Sequence, residues 1–290
     1  MNQYGRFKQR AGTVLASAVV ALLATAASIA QDAQPLTVAM DVGYAPWAMQ
    51  APDGSNEGFQ VDVMGEIARQ LGRPNVEIID ANFSAIFAGL YAGRYELIGS
   101  PIAITAERAK EMAFTEPFIA NGQAFITLTD ESDFTDLEAL RGKEIATNSG
   151  STADKYLTEN AEAQGWTVQR YDKDTDAIQA VVANRAYAAL TDVYRGCYTV
   201  ASIDAVKVNH VMANQTQVGL ALRKEDKELI SQVEHAIECM KTTGKFAEIY
   251  RKWFGVDPDP ESVMVNVFPG TGPEGYEGYD ATERPEAACI

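Results

Sequence analysis

Imidazole and thiol are scarce in this 290-residue chain, which has two histidines and three cysteines. His210 and His235 are the whole supply of imidazole ligands or bases, and nothing in the sequence places them together, so histidine chemistry and a histidine-held metal have little support. Cys197, Cys239 and Cys289 are too few for a disulfide scaffold and too scattered for a zinc site. An oxidising compartment allows one bridge and leaves one thiol over. Positive charge is short as well: 24 Lys+Arg face 40 Asp+Glu, a formal net charge of −16. That balance argues against nucleic-acid binding, whose affinity comes largely from basic groups that release counterions. It says little about a small ligand, which meets a few local groups and not the average field. The apolar run at 11–27 is too short and too alanine-rich for a membrane anchor.

That run has another use. Arg6, Lys8 and Arg10 precede it and Ser28-Ile29-Ala30 follows it, which is the pattern of a signal peptide over 1–30 with the mature chain starting at Gln31. No cysteine stands at the cut, so a lipid anchor is not expected. Residues 31–290 then hold 21 basic and 40 acidic side chains, and the expected product is soluble and exported. Such a length can bury one large core or two smaller ones, and two domains are favoured.

Short β-prone runs alternate with helical stripes along the rest of the chain. Strands are expected at 36–40, 75–79, 95–98, 123–129, 167–171 and 188–192. Val63, Ile67, Gln70 and Leu71 share one helical stripe, and Phe83, Ile86, Phe87 and Leu90 another, with Asn82 as its cap. A helix start is expected at 151–154 and a helix at 175–183. Two further strands, 205–208 and 218–222, flank a return crossover near 213–217. The stripe of Ile230, Val233, Ile237 and Met240 marks a later helix, and 246–254 a last short one. Residues 256–290 hold five of the prolines and no helical period, which reads as an extended tail laid over the surface or partly disordered.

Four places carry candidate chemistry. Asp41, Tyr44 and Trp47 sit on a loop after the first strand, broken by glycine and proline; in open α/β sheets ligands bind at that end. Packing of the two aromatic rings onto the core is the competing role. The run from Gly99 to Phe118 centres on Arg108, whose planar fork of donors suits a carboxylate. A surface pair with Glu107 or Glu111 is the alternative. Ser151 and Thr152 start a helix whose free N–H groups form a ready anion site, and one can cap while its neighbour meets a ligand. Asp192 ends the apolar strand at 188–192, where it can serve a ligand or cap the next helix.

Ala103-Ile104-Thr105-Ala106-Glu107-Arg108 followed by Phe114-Thr115-Glu116-Pro117-Phe118 resembles the bacterial extracellular solute-binding proteins of family 3, the periplasmic receptors of polar amino acid ABC transporters. Gly58-Phe59-Gln60-Val61-Asp62 resembles that family's Gly-Phe-Asp/Glu-x-Asp run, with Gln60 where an acid is usual. Gly142-Lys143-Glu144-Ile145 to Ser149-Gly150 resembles the run that opens its second lobe. The likeness extends from about Leu36 to Phe254. It implies an α/β, two-lobed periplasmic binding protein (type II) fold, two α/β lobes joined by two hinge crossings. On this chain the expected layout is 1–30 signal peptide, 31–122 and 217–255 lobe one, 123–216 lobe two, and 256–290 tail.

The resemblance also implies roles. Arg108 and the Ser151–Thr152 turn would share a ligand α-carboxylate. Asp192 would take the ammonium with the carbonyl of Pro101, Tyr44 and Phe83 would wall the pocket, and Asp41 would touch the ligand side chain. Ala103 stands where the family usually offers a hydroxyl, so an N-substituted amino acid or a related zwitterion also enters consideration. The expected protein is a periplasmic, monomeric receptor without cofactor or metal that hands a polar amino acid or derivative to the membrane permease subunits of an ABC importer. The alternative is a cyclohexadienyl or arogenate dehydratase-like enzyme on the same fold, for which no acid or histidine is clearly devoted to protonating a leaving hydroxyl. If one bridge forms, Cys197 with Cys239 is preferred, because both lie in the folded body while Cys289 lies in the tail.

Overall fold

Two stretches of the chain build the same unit twice in the computed structural model, which describes residues 34–282 and Cys289. The expected signal peptide lies outside the described residues. The first unit runs β1 (Leu36–Met40), α1 (Phe59–Gln70), β4 (Val76–Asp80), α2 (Phe83–Tyr91) and β5 (Leu97–Ala103), with the small hairpin strands β2 (Met49–Gln50) and β3 (Asn56–Glu57) inserted before α1. The second runs β8 (Glu144–Asn148), α4 (Thr152–Gln164), β9 (Thr167–Tyr171), α5 (Asp174–Val182) and β10 (Ala188–Asp192), followed by α6 (Val193–Ser202). In each, the first strand lies in the middle, with parallel neighbours on both sides: β4-β1-β5 and β9-β8-β10.

Helices cover both faces of these parallel strands, which is why the strands read as near-continuous apolar runs. Alternate residues then serve opposite cores. Leu36, Val38 and Met40 pack with Val63, Met64 and Ile67 of α1, whereas Ala39 and Ile98 face Ile86 and Leu90 of α2. In the second unit Ala146 and Ala189 meet Ile178 and Val181 of α5, while Ile145, Ala188 and Leu190 meet Leu157 of α4.

The units are joined by β7 (Ile119–Leu128) and β11 (Val206–Leu222), antiparallel partners at the centre of a sheet ordered β4-β1-β5-β11-β7-β10-β8-β9, with β6 (Ala113–Phe114) also on β11. The sequence suggests two strands around a crossover at 213–217. The chain instead continues as one long strand, accommodating the change of unit by register shifts between Val208 and His210 and between Val211 and Gln215. After β11, α7 (Lys227–Thr242) and α8 (Lys245–Phe254) return to α1, burying Val233, Ile237, Met240 and Phe246 in the first core. Asn82 does precede α2, but its side chain makes no capping bond.

The tail up to Thr282 is strapped to the first unit. Met264 is buried, the Phe268 N–H donates to Glu116 Oε2 at 2.9 Å and the Gly272 N–H to Glu234 Oε1 at 2.6 Å. Below it Lys241 is fully buried with Glu116 at 3.1 Å, and donates to the carbonyls of Pro117 and Asn266. The bridge joins Cys239 to Cys289, with 5.3 Å between their Cα atoms, and not to Cys197, which is exposed and unpaired on α6. The expectation fails because it treats the tail as lying apart from the body. The strap returns the chain end to α7, while α6 lies on the second unit.

Candidate functional site

Every parallel strand named above points its carboxyl end at one cleft. Asp41 follows β1, Phe83 opens α2 after β4, and Pro101 and Ala103 lie at the end of β5. From the other side come Ser151 and Thr152 after β8, Asp174 after β9, and Asp192 at the end of β10. These residues line one cavity together with Tyr44 and Arg108, and the crossing strands add Asn121, Gly122, Gln123 and Thr216. All nine residues expected to contact a ligand are therefore brought together. Trp47 is not among the lining side chains. It is fully buried, edge-on to Phe59, Tyr194 and Phe254.

Thr105 caps α3 (Ala106–Glu111) by accepting from the Arg108 N–H at 3.2 Å, which sets the Arg108 side chain at the cleft. Its guanidinium donates to the carbonyl of Ala103 at 3.0 Å and, across the cleft, to that of Gly150 at 3.2 Å. It lies over the rings of Phe83 and Phe87, 5.6 and 5.1 Å from their centroids, a favourable placement for a planar cation. Among the described residues no carboxylate is within ion-pair distance of it: Glu107 pairs instead with Lys155 at 2.6 Å. Burial pushes the Arg108 pKa down to about 10, so it stays charged at neutral pH.

Facing it, Gly150 turns the chain from β8 into α4 with φ +76°, a conformation that favours glycine. Ser151 caps α4 by accepting from the Asp154 N–H at 3.0 Å. The N–H groups of Thr152 and Ala153 belong to the first turn, where a helix leaves donors without internal partners, and both residues line the cavity. Thr152 Oγ1 accepts from Gln123 Nε2 at 3.2 Å, and Gln123 Oε1 accepts from Asn214 at 3.0 Å. Asn121 Oδ1 is buried and has no hydrogen-bond partner.

Asp192 both caps and faces the cavity. Its Oδ1 accepts the Arg195 N–H at 2.6 Å, and its Oδ2 accepts from Trp47 Nε1 at 3.1 Å and from the Tyr44 hydroxyl. Burial pushes its pKa up, against these donors, and also pushes the Tyr44 hydroxyl well above its ordinary value, with the Asp192 charge adding to the effect. Tyr44 is thus more than an apolar wall, since its hydroxyl ties the two units together at this carboxylate. Two further acids line the cavity with resident cations beside them. Asp174 accepts from Arg195 Nε at 3.0 Å and from Thr191 Oγ1 at 2.7 Å. Asp41 lies 3.5 Å from Lys173 Nζ, which also contacts Asp80 at 3.2 Å and the Val42 carbonyl at 3.0 Å. Burial raises the Asp41 pKa to about 6, with Lys173 opposing. Burial likewise works against the Lys173 charge, but Asp80 and Asp41 more than offset it and its pKa is raised.

Asn121, Gln123, Asp174, Lys173 and Arg195 do not emerge from the sequence reading. The available signal is polarity out of place: Asn121-Gly122-Gln123 interrupts a strand whose other residues are mostly apolar and buried. Lys173 and Asp174 show no such anomaly, because a charged pair at a helix start is ordinary. Among the described residues no group of three metal-ligating side chains forms a metal site, and no helix is long and apolar enough to cross a membrane.

Comparison with known proteins agrees with this architecture. The chain is 28% identical over 230 residues to the L-cystine-binding protein TcyJ of Escherichia coli (strain K12), covering 77% of this chain and 83% of that protein. It is 27% identical over 233 residues to the L-arginine-binding protein of Pseudomonas aeruginosa, covering 77% and 89%. Among solved structures, an ancestral arginine-binding protein bound to arginine superposes with a TM-score of 0.73 at 29% identity, over 76% of this chain and 98% of that one. Residues 36–256 match the model of the bacterial extracellular solute-binding proteins, family 3, and the chain belongs to that family with its two-lobed α/β fold.

Proposed function

We propose that this chain is a receptor that captures an amino acid or amino acid derivative outside the cytoplasm and presents it to the membrane subunits of an ABC importer. The observation that carries this reading is the arrangement of two charges across the cleft. Among the described residues Arg108 on the first lobe has no carboxylate partner, and Asp192 on the second has no cationic side chain within ion-pair distance. A zwitterion between them supplies both missing partners. Its α-carboxylate meets the Arg108 fork and the N–H groups at the start of α4, and its ammonium meets Asp192 with the Pro101 carbonyl. Phe83 and Tyr44 exclude water, which strengthens these contacts by lowering the local dielectric.

Closure follows from the connections. β7 and β11 are the crossings between 31–122 with 217–255 and 123–216, and a ligand that contacts both lobes favours the closed form by its differential affinity. Such a receptor acts as an exported monomer that shuttles to the membrane complex. A dehydratase on this scaffold is not favoured: the relatives named above are binding proteins, and the acids of the cleft are engaged in capping or pairing.

A thermal-shift screen of amino acids tests the reading. A ligand held at about 100 times its dissociation constant adds about 2.7 kcal/mol of stability. Stabilisation by one or a few amino acids is the expected result; stabilisation by none, or turnover of arogenate or prephenate, contradicts it.

A further inference from the structure

The charges of the cavity can be balanced one by one. Four charged side chains line it: Asp41, Arg108, Asp174 and Asp192. Asp174 is matched within the chain, since Arg195 Nε and Thr191 Oγ1 take its two oxygens at 3.0 and 2.7 Å. Asp41 is attended by Lys173 at 3.5 Å, and that ammonium is held there by Asp80 and the Val42 carbonyl. Asp80 shares that ammonium through both carboxylate oxygens at 3.2 Å, and its side chain, 55% exposed, draws the rest of its solvation from water. One cation, Arg108, and one anion, Asp192, are left for the ligand to satisfy.

We propose that the ligand is a net-neutral amino acid with an uncharged polar side chain, and that Lys173 is the residue that rejects cationic ones. This rests on the amino acid reading above and narrows it. Lys173 does not itself line the cavity, but its ammonium lies 3.5 Å from Asp41, so a cationic side chain reaching Asp41 would meet a carboxylate already attended by a positive charge, and such like-charge proximity discriminates against a competitor. An anionic side chain would meet the carboxylates of Asp41 and Asp174. The polar requirement comes from Asn121, over nine-tenths buried, which lines the cavity with Oδ1 unpartnered and needs a donor to complete it.

Calorimetry with glutamine, leucine, arginine and glutamate tests this on chains of similar length. Wild-type protein should bind glutamine at least about tenfold more tightly than the other three. Lys173→Met should shift the glutamine-to-arginine ratio towards arginine by about tenfold or more, and Asn121→Ala should shrink the margin of glutamine over leucine. Arginine, glutamate or leucine as the tightest ligand of the wild type overturns the proposal, and this ranking needs no variant. An unchanged ratio in folded Lys173→Met also overturns it. If the wild type binds arginine best, only this narrowing fails; if it binds no amino acid, the receptor reading fails with it.

Discussion

Lys241 and Arg108 are two cations withdrawn from water in one chain, and they are treated in opposite ways. Lys241 sits under the tail with Glu116 3.1 Å away and two carbonyls accepting its remaining protons. Arg108 sits at the cleft with two carbonyls and two aromatic rings but no carboxylate. A buried charge is costly unless paired, and the first arrangement pairs its cation with an acid of the same chain, though Glu116 Oε1 is left without a hydrogen-bond partner among the described residues. The second has no carboxylate beside it among the described residues, and in the proposed function the ligand supplies that anion.

Breaking the paired site should give the largest loss of stability. Lys241→Met leaves Glu116 buried without its cation, at a cost of about 3–5 kcal/mol measured by urea unfolding. Ligand affinity of the folded fraction should not change. A variant as stable as wild type would show that the strap is not organised by this pair.

The bridge that anchors the same strap should matter next. Cys289→Ser opens the link to Cys239, 50 residues apart in sequence, and should cost about 2–4 kcal/mol. Non-reducing peptide mapping checks the pairing itself, and recovery of Cys197 in the bridge would contradict it.

A smaller effect, dependent on pH, should come from Asp41. Its folded pKa of about 6 lies above the ordinary carboxyl value of 3.8, so the folded state holds the proton more tightly than the unfolded one. Well below pH 3.8 both states are protonated and no penalty exists. As pH rises towards 6 the unfolded state ionises first, so this group lowers stability across that window, by up to about 3 kcal/mol. Asp41→Asn lacks that slope. Unfolding at pH 4 and pH 7 should show the variant gaining on wild type at the higher pH, and an equal difference at both would place the titration elsewhere.

Both parallel units are legible in the sequence, because they announce themselves as apolar runs. Leu36–Met40, Thr167–Tyr171 and Ala188–Asp192 are strands with the bounds that the pattern suggests. Arg108, Asp192 and the Ser151 turn stood out through the resemblance and through residue chemistry at strand ends and helix starts. What stayed hidden depends on contacts distant in sequence. Lys173 meets Asp41 across 132 residues, the tail returns to Glu116 and Glu234, and Cys289 reaches Cys239. The single strand β11 looks like two in the sequence because its middle is polar and exposed, which in a crossing strand reflects position between lobes and not a break in pairing.

Calorimetry of a bound amino acid and its deaminated analogue on wild type, Arg108→Ala and Asp192→Asn asks whether these two side chains await the two ends of a zwitterion. Arg108→Ala should weaken both ligands by about 2–5 kcal/mol, because both carry the carboxylate. Asp192→Asn should weaken the amino acid far more than the analogue that lacks the ammonium. Equal weakening of both ligands by Asp192→Asn, or wild-type affinity in Arg108→Ala, would contradict the account.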